Sequence, residues 1–129
     1  MHSLNFPAGA SIRLTVSARP DRALHRWSVR LFTADDDAGA LPRVSYGSQI
    51  GGRDCEQRID VPFQDKDCRI EVTCGHAKAG GWQDDQARIE DDTPNLVAIA
   101  FSDGGSPASR KDDVLLSFAF AAAAGVALA

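Results

Sequence analysis

The stretch from Asn95 to Phe120, NLVAIAFSDGGSPASRKDDVLLSFAF, narrows most what this chain can fold into. Its two apolar runs, Leu96 to Phe101 and Val114 to Phe120, have strand length and are rich in β-branched and aromatic residues. Between them stand Asp103, Gly104, Gly105, Pro107, Asp112 and Asp113, which continue neither run. The stretch reads as two core strands holding out a charged loop.

The rest of the chain repeats the same short period. Ile12, Leu14, Val16 and Ala18 alternate with Arg13, Thr15 and Ser17, and Trp27, Val29 and Leu31 alternate with Ser28 and Arg30. Both patterns fit strands with one wet face. Leu41 to Ile50 is ambiguous, with Val44 and Tyr46 suiting a short edge strand. Gln57, Ile59, Val61 and Phe63 alternate, as do Cys68, Ile70, Val72 and Cys74, and Gln64-Asp65-Lys66-Asp67 lies between them. That pair reads as a β-hairpin with a four-residue loop. Gly75 to Asp85 reads as a loop, Gln86 to Glu90 as a short strand and Asp91 to Pro94 as a turn. Ala121 to Ala129 carries no charge and no cap, so an added edge strand or a tail follows a domain that spans 1–120. No segment holds a helical period over three turns. The expected architecture is all-β, a single-domain antiparallel β-sandwich, with Ile12, Leu14, Val16, Val29, Leu31, Ile70, Val72, Ile99, Leu116 and Phe118 in one core.

Length and composition exclude several classes. The chain has 129 residues, enough for one real core, with 43% hydrophobic and 25% charged residues, an ordinary globular balance. A net charge of -4 leaves no electrostatic footprint for nucleic acid but admits a cation or a neutral ligand such as a sugar. No apolar run is long enough to span a bilayer. Met1 to Pro7 lacks the basic start and apolar core of a signal peptide, so a cytoplasmic location is the expectation. Three cysteines make no disulfide framework. Cys68 and Cys74 share a face with Ile70 and Val72 and are expected to be buried thiols, too far apart along one strand to bridge each other.

The residues that carry chemistry are mostly acids in loops: Asp35-Asp36-Asp37, Asp84-Asp85, Asp91-Asp92, and Asp103 with Asp112-Asp113. Carboxylates grouped this way supply oxygen ligands for calcium or simply solvate turns. The last group is the strongest candidate, because two core strands brace it. Cys74 lies close to His76, but no CxxC or HxxxH spacing completes a zinc site. In the expected hairpin Cys55 lies across from His76, without a third group to orient a catalytic pair. His2 and His25 carry no signal. Ser102 to Ser106 follows a strand but lacks the Lys-Ser/Thr of a phosphate loop. Trp82, flanked by glycines, either stacks on a sugar ring or plugs an end of the sandwich.

Three pieces resemble the small calcium-dependent fucose/mannose-binding lectins of bacteria: Phe6-Pro7-Ala8 with the strand after it, Arg69 to Gly75, and Asn95 to Phe120. The resemblance implies a compact β-sandwich, a homodimer, a carbohydrate ligand and two bridging calcium ions. Carried over by residue, Ser102-Asp103-Gly104 resembles the acidic start of that family's calcium loop and Asp112-Asp113 its end. Ala108, Ser109 and Arg110 stand where further acids are expected, Arg19 stands where an asparagine is expected, and the chain runs past the family's C-terminal carboxylate. Fixed positive charge at Arg19 and Arg110 suits internal ion pairs with these aspartates better than calcium, so no cofactor is expected. The expected function is non-enzymatic binding of carbohydrate, with Asp103, Asp112, Asp113 and Trp82 as the ligand-binding candidates. The alternative is a structural or protein-interaction sandwich without a small-molecule ligand.

Overall fold

Among the described residues, period-two alternation resolves into ten strands in two antiparallel sheets. A computed structural model describes residues 2–6, 8–18, 24–35, 39–50, 55–62, 64–93, 95–102 and 114–122. The strands are β1 (His2–Phe6), β2 (Ala10–Ala18), β3 (His25–Thr33), β4 (Val44–Ile50), β5 (Cys55–Val61), β6 (Cys68–Lys78), β7 (Gly81–Asp84), β8 (Gln86–Thr93), β9 (Leu96–Ser102) and β10 (Val114–Ala122). One sheet runs β1-β6-β3-β4, with β7 beside β1 on the same edge of β6; the other runs β5-β2-β10-β9-β8. Among the described residues no helix is long and apolar enough to cross a membrane.

The alternating residues of both sheets meet in one core. Ile12, Leu14 and Val16 from β2, Ile99 from β9, and Leu116 and Phe118 from β10 pack in one cluster with Val29, Leu31, Ile70 and Val72 from β3 and β6. All ten residues expected in the core are buried. The two apolar runs of the Asn95 to Phe120 stretch pair directly as β9 and β10, from Val114↔Phe101 to Ala119↔Leu96. The segment between them, expected to be a charged loop with Asp103, Asp112 and Asp113, lies outside the described residues, as do Arg19 and Arg110. Strand β10 runs on through Ala121 and Ala122, paired with β2.

One expected pairing is overturned. The segments around Ile59 and Ile70 do not form a hairpin: β5 pairs with β2, and β6 pairs with β3. Alternation suits a hairpin and a pair of strands in opposite sheets equally well, since either way one face looks into the core. The connection decides the matter. Its backbone is tied to other segments: Gly9 N donates to the Gln64 carbonyl at 3.0 Å, and Ala34 N to the Asp67 carbonyl at 2.9 Å. Gln64 is buried and its amide donates to the Pro62 carbonyl at 2.9 Å, so the chain crosses between sheets there. Cys55 accordingly lies opposite Ala18, and the residue across from His76 is His25. The expected Gly75 to Asp85 loop is also a correction: β6 continues to Lys78 and turns back into β7, with Gly80 and Gly81 at positive φ, 95° and 143°. Strand β8 extends to Thr93 rather than ending at Glu90, with a bulge between Ile89 and Asp91.

Candidate functional site

Residues placed directly opposite on paired strands point to the same side, so the register of the first sheet lays out its two faces. On the outer face, Arg26 stands opposite Gly75 and Gly75 opposite Asp84, forming one row across β3, β6 and β7. The neighbouring row holds Ser28 and Thr73, whose hydroxyls share a hydrogen bond of 2.5 Å. Trp82, opposite Ala77, follows on the other side. These rows bound a cleft of about 450 Å³ whose lining includes Arg26, Ser28, Thr73, Trp82, Gln83 and Asp84. Gly75 forms part of the lining for a steric reason: a Cβ there would sit 2.9 Å from the Gln83 carbonyl oxygen.

Trp82 is 36% exposed, and the Arg26 guanidinium carbon lies 4.3 Å from its ring centroid. This cation–π contact fixes the ring against the sheet. Trp82 therefore borders an outer-face cleft rather than plugging an end of the sandwich. Of the four ligand-binding candidates, it alone falls among the described residues; Asp103, Asp112 and Asp113 lie outside them.

Behind the cleft, on the inner side of the same strands, lies a group of residues that sequence reasoning left unconnected. Asp85 follows β7, and its backbone N–H donates to the Cys74 carbonyl at 2.9 Å. Its side chain is fully buried. His25 Nδ1 lies 3.1 Å from Asp85 Oδ2, Cys74 Sγ 3.2 Å from the same oxygen, and His76 Nδ1 2.5 Å from Oδ1. Burial pushes the Asp85 carboxyl up, but hydrogen bonds from His25, His76 and Cys74 and the charge of His25 pull it down further, so it sits below the ordinary carboxylate range. An ionised carboxylate accepts only, so both imidazoles donate from Nδ1 and Cys74 donates its S–H. Cys74 and Cys68 are both buried and outside any disulfide. Trp27, opposite Cys74, is buried, and its indole N–H has no hydrogen-bond partner among the described residues.

One signal is present in the sequence: Cys74 and His76 are two residues apart, which puts them on one face once β6 continues to Lys78 rather than ending in the expected loop. His25 and Asp85 join them only through strand pairing and the β6–β7 turn, which no local spacing records.

No family model matches the chain, and no curated protein does. Among solved structures, the chain is similar to the C-terminal domain of the BC2L-C lectin from Burkholderia cenocepacia, at 16% identity over 90% of this chain and 91% of that one, with a TM-score of 0.48. It is also similar to the Chromobacterium violaceum lectin CV2L in complex with alpha-methyl-fucoside, at 14% identity over 90% and 93%, with a TM-score of 0.45. A third is the high-affinity mannose-binding lectin of Ralstonia solanacearum, at 11% identity over 90% and 93%, with a TM-score of 0.45. These likenesses assign no residue of this chain a role.

Proposed function

We propose that this protein is a non-enzymatic binding module that takes carbohydrate in the outer-face cleft. The observation that carries the reading is Trp82, partly exposed beside Arg26, on a cleft whose lining includes the hydroxyls of Ser28 and Thr73, the Gln83 amide and the Asp84 carboxylate. A sugar ring presents a C–H face, which stacks on an indole, and hydroxyls, which require donors and acceptors together. Arg26 donates, Asp84 accepts, and Ser28, Thr73 and Gln83 do both. The three lectin-like sequence pieces support the same class of ligand, a fucose- or mannose-type monosaccharide. Hydrolysis is disfavoured because two carboxyl groups are needed across a glycosidic bond, and among the described residues lining the cleft only Asp84 supplies one.

The binding proceeds without calcium on this reading, since in the sequence Arg19 and Arg110 stand at positions where the resemblance implies calcium-site residues. A glycan array run with calcium and again with chelator tests both points. The expected result is a small set of fucose- or mannose-type glycans retained in both conditions. Trp82→Ala should weaken binding by about 1–2 kcal/mol, roughly tenfold, through loss of the stacking face. An array empty under both conditions, or full affinity in the Trp82→Ala protein, would remove the cleft as a sugar site.

A further inference from the structure

The sugar-binding reading assigns no role to the chemistry gathered at Asp85, although Cys74 also borders the cleft. Two imidazoles, one thiol and one carboxylate converge there from β3, β6 and the start of the crossover to β8. A ring nitrogen of His25, Cys74 Sγ and an Asp85 oxygen all lie within 4.8 Å of one another. We propose that His25, Cys74 and Asp85 bind a divalent transition metal of the zinc class, with His76 holding the carboxylate by its other oxygen.

The donor set points to that class. Thiolate and imidazole suit zinc and its neighbours, whereas calcium and magnesium take all-oxygen sets. This site is therefore chemically unlike the acidic segment between β9 and β10. Its charge closes as well. A divalent ion with one thiolate, one carboxylate and neutral imidazole sums to zero, which suits a place where the Asp85 side chain is fully buried and the His25 side chain 1% exposed.

Two of the three ligand-to-ligand edges need little adjustment. Bonds of about 2.0–2.1 Å to nitrogen and oxygen and about 2.3 Å to sulfur set tetrahedral edges of about 3.3 Å for N···O and about 3.5 Å for S···O. The two edges meeting at Asp85 Oδ2 are already 3.1 Å and 3.2 Å. Loading the site costs Cys74 its proton and His25 the proton on Nδ1, leaving a neutral imidazole protonated at Nε2. His76 stays as it is, donating to Oδ1 and orienting the carboxylate, the usual duty of a residue behind a metal ligand. An approach exists too: a cavity of about 190 Å³ between the sheets is lined by His2, Cys74, Asp85, Ala87 and Phe101 among others.

The test uses the full chain, stripped with chelator and titrated with zinc by calorimetry and, separately, with cobalt by absorption. One saturable zinc site per chain, a raised melting temperature and a thiolate-to-cobalt charge-transfer band are expected. Cys74→Ser should abolish the band, while Cys68→Ser and Cys55→Ser keep it. His76→Gln should weaken zinc about 10–100-fold yet leave the band in place. Wild-type protein supplies a readout that needs no folded variant: zinc at a hundred times its Kd should slow alkylation of Cys74 about a hundredfold. Absence of saturable zinc binding, a band that survives Cys74→Ser, or unchanged Cys74 alkylation would each overturn the proposal and leave the four residues as a hydrogen-bonded lock.

Discussion

Gly75 and Asp85 show how single residues shape both sides of the first sheet. Gly75 keeps the cleft open because a side chain would run into the Gln83 backbone, which has no flexible end to yield. Gly75→Ala should cost about 1–3 kcal/mol in urea unfolding, with the Trp82 cleft losing sugar affinity in the same protein. An unchanged midpoint would mean that β7 gives way freely. Asp85 makes the opposite contribution, drawing three donors onto one buried carboxylate. Its folded-state pKa lies below its unfolded value. The stabilisation is therefore fully present above the unfolded carboxyl value of about 3.9 and is lost as pH falls through the lower folded value. In chelator-treated protein, Asp85→Asn should lower stability at neutral pH and flatten the acid limb below about pH 4, as read by melting temperature against pH. An acid limb identical to wild type would move that linkage to another group.

At the scale of elements, β6 and β10 divide the work. Strand β6 is the longest, 11 residues, and is paired along both edges, with β3 on one side and β1 then β7 on the other. It carries core residues on its inner face, Cys74 and His76 beyond them, and Thr73 and Gly75 in the outer cleft. Strand β10 lies between β2 and β9 and buries Val114, Leu116 and Phe118. Leu116→Ala should cost about 2–5 kcal/mol, since a fully buried leucine leaves a cavity when truncated. Ser117→Ala, on the opposite face of the same strand, should change stability by no more than about 0.5 kcal/mol. Similar losses for both would contradict the facing of the strand. One edge of the second sheet is β8, exposed along its whole length, where Glu90, Asp91 and Asp92 and the adjacent bulge discourage pairing with another chain.

The whole molecule closes through long-range pairings. The N-terminal β1 pairs with β6, and β2 is held between β10 and β5. The acidic segment between β9 and β10 thus joins strands that are already locked into the core, and its contribution is testable on the intact protein. Millimolar calcium should leave the melting temperature unchanged, because a ligand selective for the folded state must raise it. A clear rise that disappears when Asp112 and Asp113 are replaced by Asn would restore calcium as a ligand and return the lectin reading to its metal-dependent form.

Alternation by itself determined that this chain is all-β, which faces are buried, and that Leu96 to Phe101 and Val114 to Phe120 are core strands, because a residue's side of a strand is local and period two reports it. It did not determine which strands pair. Cys68 to Cys74 alternates identically whether it folds back on the β5 segment or joins the opposite sheet, and backbone ties at Gln64 and Asp67 settled the choice. Trp82 was legible as a surface aromatic, but its place beside Arg26 depended on the turn at Gly80 and Gly81. The group around Asp85 was the least legible: His25 and His76 are 51 positions apart in the chain yet directly opposed in the sheet. Only tertiary structure brings such residues together, since strand register is fixed by burial and backbone pairing summed over the whole sheet rather than by any spacing within one segment.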